Sequence, residues 1–292
     1  MANLLDIRRR IKSVKNTEQI TKAMKMVSTA KLKRAQDRVI NARPFAQKMR
    51  QMLSDLAAQT GEDFHHPLLD ARGDRRYRVF LITADKGLCG AFNANLIKAT
   101  QAFLNEHADK EIELVTIGRK GRDFFRRRRE LAAEFVGLTA KGNVFFEEAV
   151  QVARDRLIDR FTNDEGLDKV FVIFSEFKSI LSQRVVIERL LPLVQETDEG
   201  KPIAPATPQD YIFEQPPAEI FGRLLPSMIE TQIYRMLLES IASEQGARMT
   251  AMDAASNNAG ELISTLTLNM NRIRQAAITR EIIEIVSGAA AQ

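Results

Sequence analysis

Residues 234–287, YRMLLESIASEQGARMTAMDAASNNAGELISTLTLNMNRIRQAAITREIIEIVS, decide the fold. Alternating steps of four and three from Tyr234 land on Leu238, Ile241, Gln245, Arg248, Met252, Ala255, Ala259, Leu262, Leu266, Asn269, Ile273, Ala276, Arg280, Ile283 and Ser287. Most of these positions are apolar and the register never breaks, which is the seam of a long helix wound against a partner. The same rhythm starts at the other end of the chain, through Leu4, Ile7, Ile11, Val14, Glu18, Thr21, Lys25, Ser28, Leu32, Ala35, Val39, Ala42, Ala46, Met49, Leu53 and Leu56. Two seams of similar length at the two termini predict one antiparallel two-helix coiled coil, with everything between inserted at its far end. At 1.5 Å per residue each arm is roughly 80 Å long. That is a shaft, longer than a small core requires.

The first arm is expected over residues 1–58, with Asn3 as a cap and Pro44 as a kink. Its seam is polar at Glu18, Thr21, Lys25 and Ser28, while Ile20, Met24 and Val27 sit one position back beside Met26. One reading is a local shift in how the helices face each other. The other is that this face meets a different partner, for which methionines suit a surface that must re-pack. Basic residues surround it: Lys22, Lys25, Lys31, Lys33, Arg34 and Arg38. A run of charge on a helix is ordinarily a solvated face. A DNA-reading basic helix fits poorly, because its basic segment precedes the zipper rather than threading through it.

Between the arms the period changes. Residues 75–195 read as an inserted α/β domain. Strands are expected at 77–83, 111–118, 168–177 and 183–191, the last two as a hairpin, with a further strand or edge within 131–138. Helices are expected at 91–107 and 143–161, with 120–129 a short basic helix or loop. Alternating strands and helices predict a doubly wound, Rossmann-like sheet covered on both faces. Residues 202–217 are proline-rich with a possible strand at 211–213, and the second arm is expected over 209–292.

The chain has 292 residues and net charge +5. Cys89 is the only cysteine, so no intramolecular disulfide can form, and the easy reading is a reducing compartment. No run of eighteen apolar residues and no apolar leader is present, so a soluble protein on the cytoplasmic side is expected. His65, His66 and His107 are scattered, and no metal site is expected. The turn DKGLCGAFN at 85–93 follows a strand and opens a helix, where phosphates bind in such sheets. It lacks the G-x-G-x-x-G and Walker spacings. No catalytic set and no cofactor motif stands out.

Three stretches carry a family resemblance: ITKAMKMV at 20–27, DKGLCGAFN at 85–93, and RMTAM at 248–252 continuing through RQAAITRE at 274–281 to IVSGAA at 285–290. With these the full chain resembles the γ subunits of bacterial F-type ATP synthases. Asp253 departs from the basic residue that relatives often carry there. The resemblance implies a non-catalytic rotor shaft, one copy per complex, inside a hexamer of α and β subunits and standing on a membrane c-ring and the ε subunit. It implies contacts to β by Met24, Lys25, Arg248, Arg274, Gln275, Thr279 and Glu281, with small residues Ala289, Ala290 and Ala291 at the tip. It implies contacts to the c-ring and ε by Pro44, Phe45, Gly87, Gly90, Tyr211 and Glu214. It implies a peripheral position on the cytoplasmic face of the bacterial inner membrane, no membrane insertion and no nucleic acid. Two other readings stay open. One is a nucleotide-binding α/β protein whose coiled coil is an oligomerisation handle, and the other is a coiled-coil scaffold or nucleic-acid binder.

Overall fold

A computed structural model describes residues 4–60, 65–140, 144–180, 182–193 and 216–290. Two helices dominate, α1 at Leu4–Thr60 and α6 at Pro217–Ala290. Between them come β1 (Arg76–Ile82), α2 (Phe92–Glu106), β2 (Glu111–Ile117), α3 (Arg119–Phe125), β3 (Ala133–Phe135), α4 (Phe146–Ala153), a π-helical turn (Arg154–Ile158), α5 (Asp159–Asn163), β4 (Lys169–Phe177) and β5 (Gln183–Leu191). The chain divides into two compact units, one of residues 1–29 with 248–292, the other of residues 30–247.

The larger unit is built on a five-stranded sheet of order β3-β2-β1-β4-β5, parallel except for β5. The order reverses direction between β1 and β4, which is the switch point of a doubly wound sheet. Period-two side chains divide β1 between the faces. Tyr77, Val79 and Leu81 join Leu96 and Phe103 of α2 and Phe125 of α3 in one core. On the opposite face lies α6, whose Arg235 stands over the Phe174 ring and pairs with Glu188, and whose Ser243 hydroxyl donates to the Ser175 carbonyl. Residues 229–246 of α6 are buried almost all round, including Ile233, Leu237 and Ile241.

The helix expected over 143–161 is three pieces. The π turn adds a residue and moves the buried stripe from Ala149, Val152 and Ala153 to Leu157, Ile158 and Phe161. Phe146 is exposed, with its ring edge-on to Tyr234. Helix α1 runs through Pro44, and α6 begins at Pro217, inside the arm expected over 209–292, and contains Pro226. The 211–213 strand lies outside the described residues.

In the smaller unit the two helices run antiparallel. Lys25 Nζ is 2.5 Å from Asp253 Oδ1, and Thr21 Oγ1 is 2.7 Å from Ser256 Oγ, so one number rises as the other falls. On the first arm burial follows the expected seam, through Ile7, Thr21 and Ser28. On the second it runs through Met252, Ser256 and Ala259, so Ala255 and Leu262 lie one position off the observed line. The displacement follows from Ser256, whose hydroxyl is buried against Thr21 and the Met252 carbonyl.

Candidate interaction surfaces

The turn after β1 occupies the position at which a doubly wound sheet ordinarily holds a phosphate. Here protein side chains take the donors. The buried Asp85 carboxylate accepts from the Arg119 N–H at 3.0 Å, the Gly137 N–H at 3.1 Å and the Thr139 hydroxyl at 2.8 Å. The Thr83 hydroxyl accepts from the Gly121 N–H at 2.9 Å. Asn93 completes the lock, accepting from Ala84 N–H and donating to Cys89 Sγ. A fixed carboxylate at the centre of this cradle repels a phosphate and already fills its hydrogen-bonding role. Close approach of β1 and β2 ends needs Gly118, with φ +100, where a Cβ would lie 2.1 Å from the Thr83 carbonyl oxygen. Gly90 is also left-handed, at φ 54. Gly87 has room for a methyl group, meeting only the Lys120 side chain at 3.8 Å. The neighbouring Leu88 has φ 61 and is 64% exposed, so the turn presents an apolar side chain to its surroundings. Pro44 and Phe45 are also exposed. Tyr211, Glu214 and Ala291 lie outside the described residues.

The first arm decides between the two readings of its polar seam. Thr21 and Ser28 are buried, at 8% and 2% exposure, so the arms face each other through hydroxyls. Ile20, Met26 and Val27 point away and are 58%, 68% and 55% exposed, with Met24 and Lys25 half-buried beside them. The apolar residues are therefore not a shifted seam, and they leave a contiguous apolar and basic face without an intramolecular partner among the described residues. Lys25 is tied to Asp253 and Lys22 to Glu18. The first of these explains the departure at Asp253: its acid meets a lysine on the opposite arm.

Equal rise along both helices carries the 25-to-253 pairing outward until Leu4 stands opposite about residue 274. Beyond that point α6 has no first arm beside it among the described residues. Ile278, Ile282, Ile283, Ile285 and Val286 are all exposed there. Arg274, Gln275, Thr279 and Glu281 are exposed as well, the Thr279 hydroxyl donating back to the Gln275 carbonyl at 2.9 Å. Arg248 differs from these, being buried.

Among the described residues no group of histidine, cysteine and carboxylate side chains is placed to hold a metal, and no helix is long and apolar enough to cross a membrane.

The family model described as ATP synthase matches residues 3–292. The ATP synthase gamma chain of Solibacter usitatus is 53% identical, covering 100% of this chain and 99% of that one. The gamma chain of Anaeromyxobacter sp. is 48% identical over the same shares. The chain belongs to the ATP synthase gamma-chain family. Its fold is similar to a chain in the central stalk and c-ring structure of the Tetrahymena thermophila mitochondrial ATP synthase, with 29% identity, TM-score 0.58, and 81% of this chain and 99% of that one covered. It is also similar in fold to a chain of the Euglena gracilis enzyme, with 19% identity, TM-score 0.67, and coverage of 99% and 94%. A gamma chain is a non-catalytic subunit, and the Asp85-filled turn agrees with that. The sequence missed Asp85 as the filler of its own glycine turn. The available signal was an acid two residues after the strand expected at 77–83, with two threonines, Thr83 and Thr139, able to join the same cradle.

Proposed function

We propose that this gamma chain is the rotating central shaft of an F-type ATP synthase, coupling ion flow through a membrane ring to ATP chemistry on a hexamer of α and β subunits. The observation that carries the reading is the division of apolar surface on the shaft. The seam holding the arms together is partly hydroxyl, while Ile20, Met26, Val27 and the isoleucines beyond residue 278 face outward. A helix pair that existed only to hold itself together would bury those residues. A shaft that turns inside a bearing needs them outside. As it turns, each β subunit meets a different face, stabilises a different open or closed state, and so changes nucleotide affinity.

On this reading Met24 and Lys25 meet an acidic lever segment of β, and Arg274, Gln275, Thr279 and Glu281 make the few polar contacts at the tip. Arg248 joins that set only by swinging out of its buried position. Pro44, Phe45, Gly87, Gly90, Tyr211 and Glu214 dock on the c-ring and ε. One copy serves each complex, which lies on the cytoplasmic face of a bacterial inner membrane. The domain limits that go with this are 1–58 and 209–292 for the arms and 75–195 for the inserted domain. The nucleotide-binding alternative is opposed by the carboxylate of Asp85 in the cradle.

The test is reconstitution of the purified chain with α and β subunits. The expected product is one copy per three α–β pairs, with ATPase far above any component alone. In the same complex, attached to its membrane ring, Met24→Lys is expected to lower ion pumping per ATP. Unchanged pumping by that variant removes the β assignment of this face, and hydrolysis by the free chain removes the rotor reading.

A further inference from the structure

We propose that the arginine knuckle following α3 is a docking surface for an acidic polypeptide segment. Five arginines fall within residues 122–129, and Arg126, Arg127 and Arg128 are exposed. The knuckle has a fixed frame. Phe125 is buried in the sheet core and packs edge-on against Phe124 at 4.9 Å. Arg128 lies over the Phe124 ring at 3.8 Å and donates to the Phe124 carbonyl at 2.7 Å, which holds its guanidinium in place. Arg122 is occupied by Asp123. Arg126 and Arg127 pair with no acid among the described residues. An open depression of about 540 Å³ lies here, lined by Asp123, Phe124, Arg127 and Arg128.

The occupant follows from that lining. A guanidinium offers paired donors that match a carboxylate, so Arg127 and Arg128 in the lining, with the exposed Arg126 next to them in the chain, select acidic side chains. The Phe124 ring, with the Arg128 guanidinium over it, adds an apolar element to the same lining. Asp123 in the lining and Glu130 at the edge stand against a continuous sheet of negative charge, whether lipid headgroups or a nucleic-acid backbone. Discrete carboxylates on a peptide can be spaced to avoid them. None of this surface takes part in the shaft contacts proposed above, so the inference holds or fails independently of them.

The full chain is titrated at low salt with a labelled twelve-residue peptide of alternating Glu and Leu. Controls are the same peptide with Gln for Glu, vesicles of phosphatidylglycerol and duplex DNA. Binding of the acidic peptide alone is expected, weakened on the order of ten-fold or more by Arg126→Glu with Arg127→Glu. These two side chains are exposed, and thermal unfolding of the variant checks that the fold persists; Arg126→Gln with Arg127→Gln, expected to weaken binding less, serves if it does not. Arg8→Glu with Arg9→Glu, reversing another exposed basic cluster, is expected to leave the affinity unchanged. Equal loss in that variant means general charge attraction and overturns the proposal. So do absence of peptide binding, retention of it in the knuckle variants, or tighter binding of vesicles or DNA through the same arginines.

Discussion

One helix, α6, runs through two different settings. Residues 229–246 lie against a sheet and are buried on nearly every side, even at Glu230, Gln232, Glu239 and Glu244. Residues beyond 275 are exposed on nearly every side, even at Ile282, Ile283 and Ile285. The exposed stretch is no less apolar in sequence than the buried one, so composition does not tell core from surface. The difference lies in what the rest of the chain brings alongside. In the first stretch buried charge is paired, Glu230 by the distant Arg154 and Glu239 by Arg235 one turn earlier on the same helix. In the second, apolar side chains are exposed and have no partner among the described residues, which fits a surface that works inside an assembly.

Truncation separates the two stretches most sharply. Phe80→Ala removes a ring with 0% exposure from the sheet and is expected to cost about 3–5 kcal/mol in urea unfolding. Ile283→Ala in the bare stretch is expected to change unfolding of the free chain by less than about 0.5 kcal/mol. A large loss from the second would mean that the end of α6 is packed in the free chain, and the contrast would fall.

Asp85→Ala leaves three donors buried without their acceptor, and a loss of about 2–4 kcal/mol is expected. If the variant instead gains measurable ATP binding at little cost in stability, the turn is a masked phosphate site.

Tyr77 supplies a pH signature of the folded sheet. Burial, and then the hydrogen bond from its hydroxyl to Asp74 at 2.5 Å, push its pKa up to about 12. The neutral phenol therefore stabilises the fold fully below its unfolded value of about 10, and that contribution is lost as pH rises toward the folded value. Alkaline titration of unfolding is expected to show this slope, and Tyr77→Phe to flatten it. The slope should be absent from any probe that reports only on the shaft.

The smallest expected effect is on the shaft. Lys25 and Asp253 are nearly half exposed, so a double-mutant cycle should return a coupling of about 0.2–1 kcal/mol that fades as salt is added. Charge reversal, Lys25→Asp with Asp253→Lys, should restore most of it. A coupling that is large and salt-independent would mean that this pair is sheltered, unlike the rest of the shaft surface.

The two arms were legible because a heptad needs only spacing. Ile7, Thr21, Ser28, Leu32, Ala35, Val39, Leu53 and Leu56 are the positions that steps of four and three select, and all are buried. The strands were legible as apolar runs. Two things were not. The π turn at Arg154–Ile158 leaves no mark on periodicity at the scale of a single helix. The second seam shifted by one residue because a hydroxyl pair, Thr21 with Ser256, outcompeted the apolar choice, and such a pair exists only once the opposite arm is in register. Residue contacts at the shaft tip came from family resemblance, because exposed side chains on a helix announce no partner by themselves.

The stretch of α6 beyond about residue 274 has a consequence for how the complex is put together. A single helical end of this length is marginal in water when nothing covers its apolar side. On the shaft reading proposed above, its order then depends on the sleeve that receives it, so threading and folding are one event. Part of the free energy of capture is spent on ordering, and the net grip is weaker than the same apolar area would give on a rigid rod. A loose grip at the sleeve is what lets an axle spin without stalling.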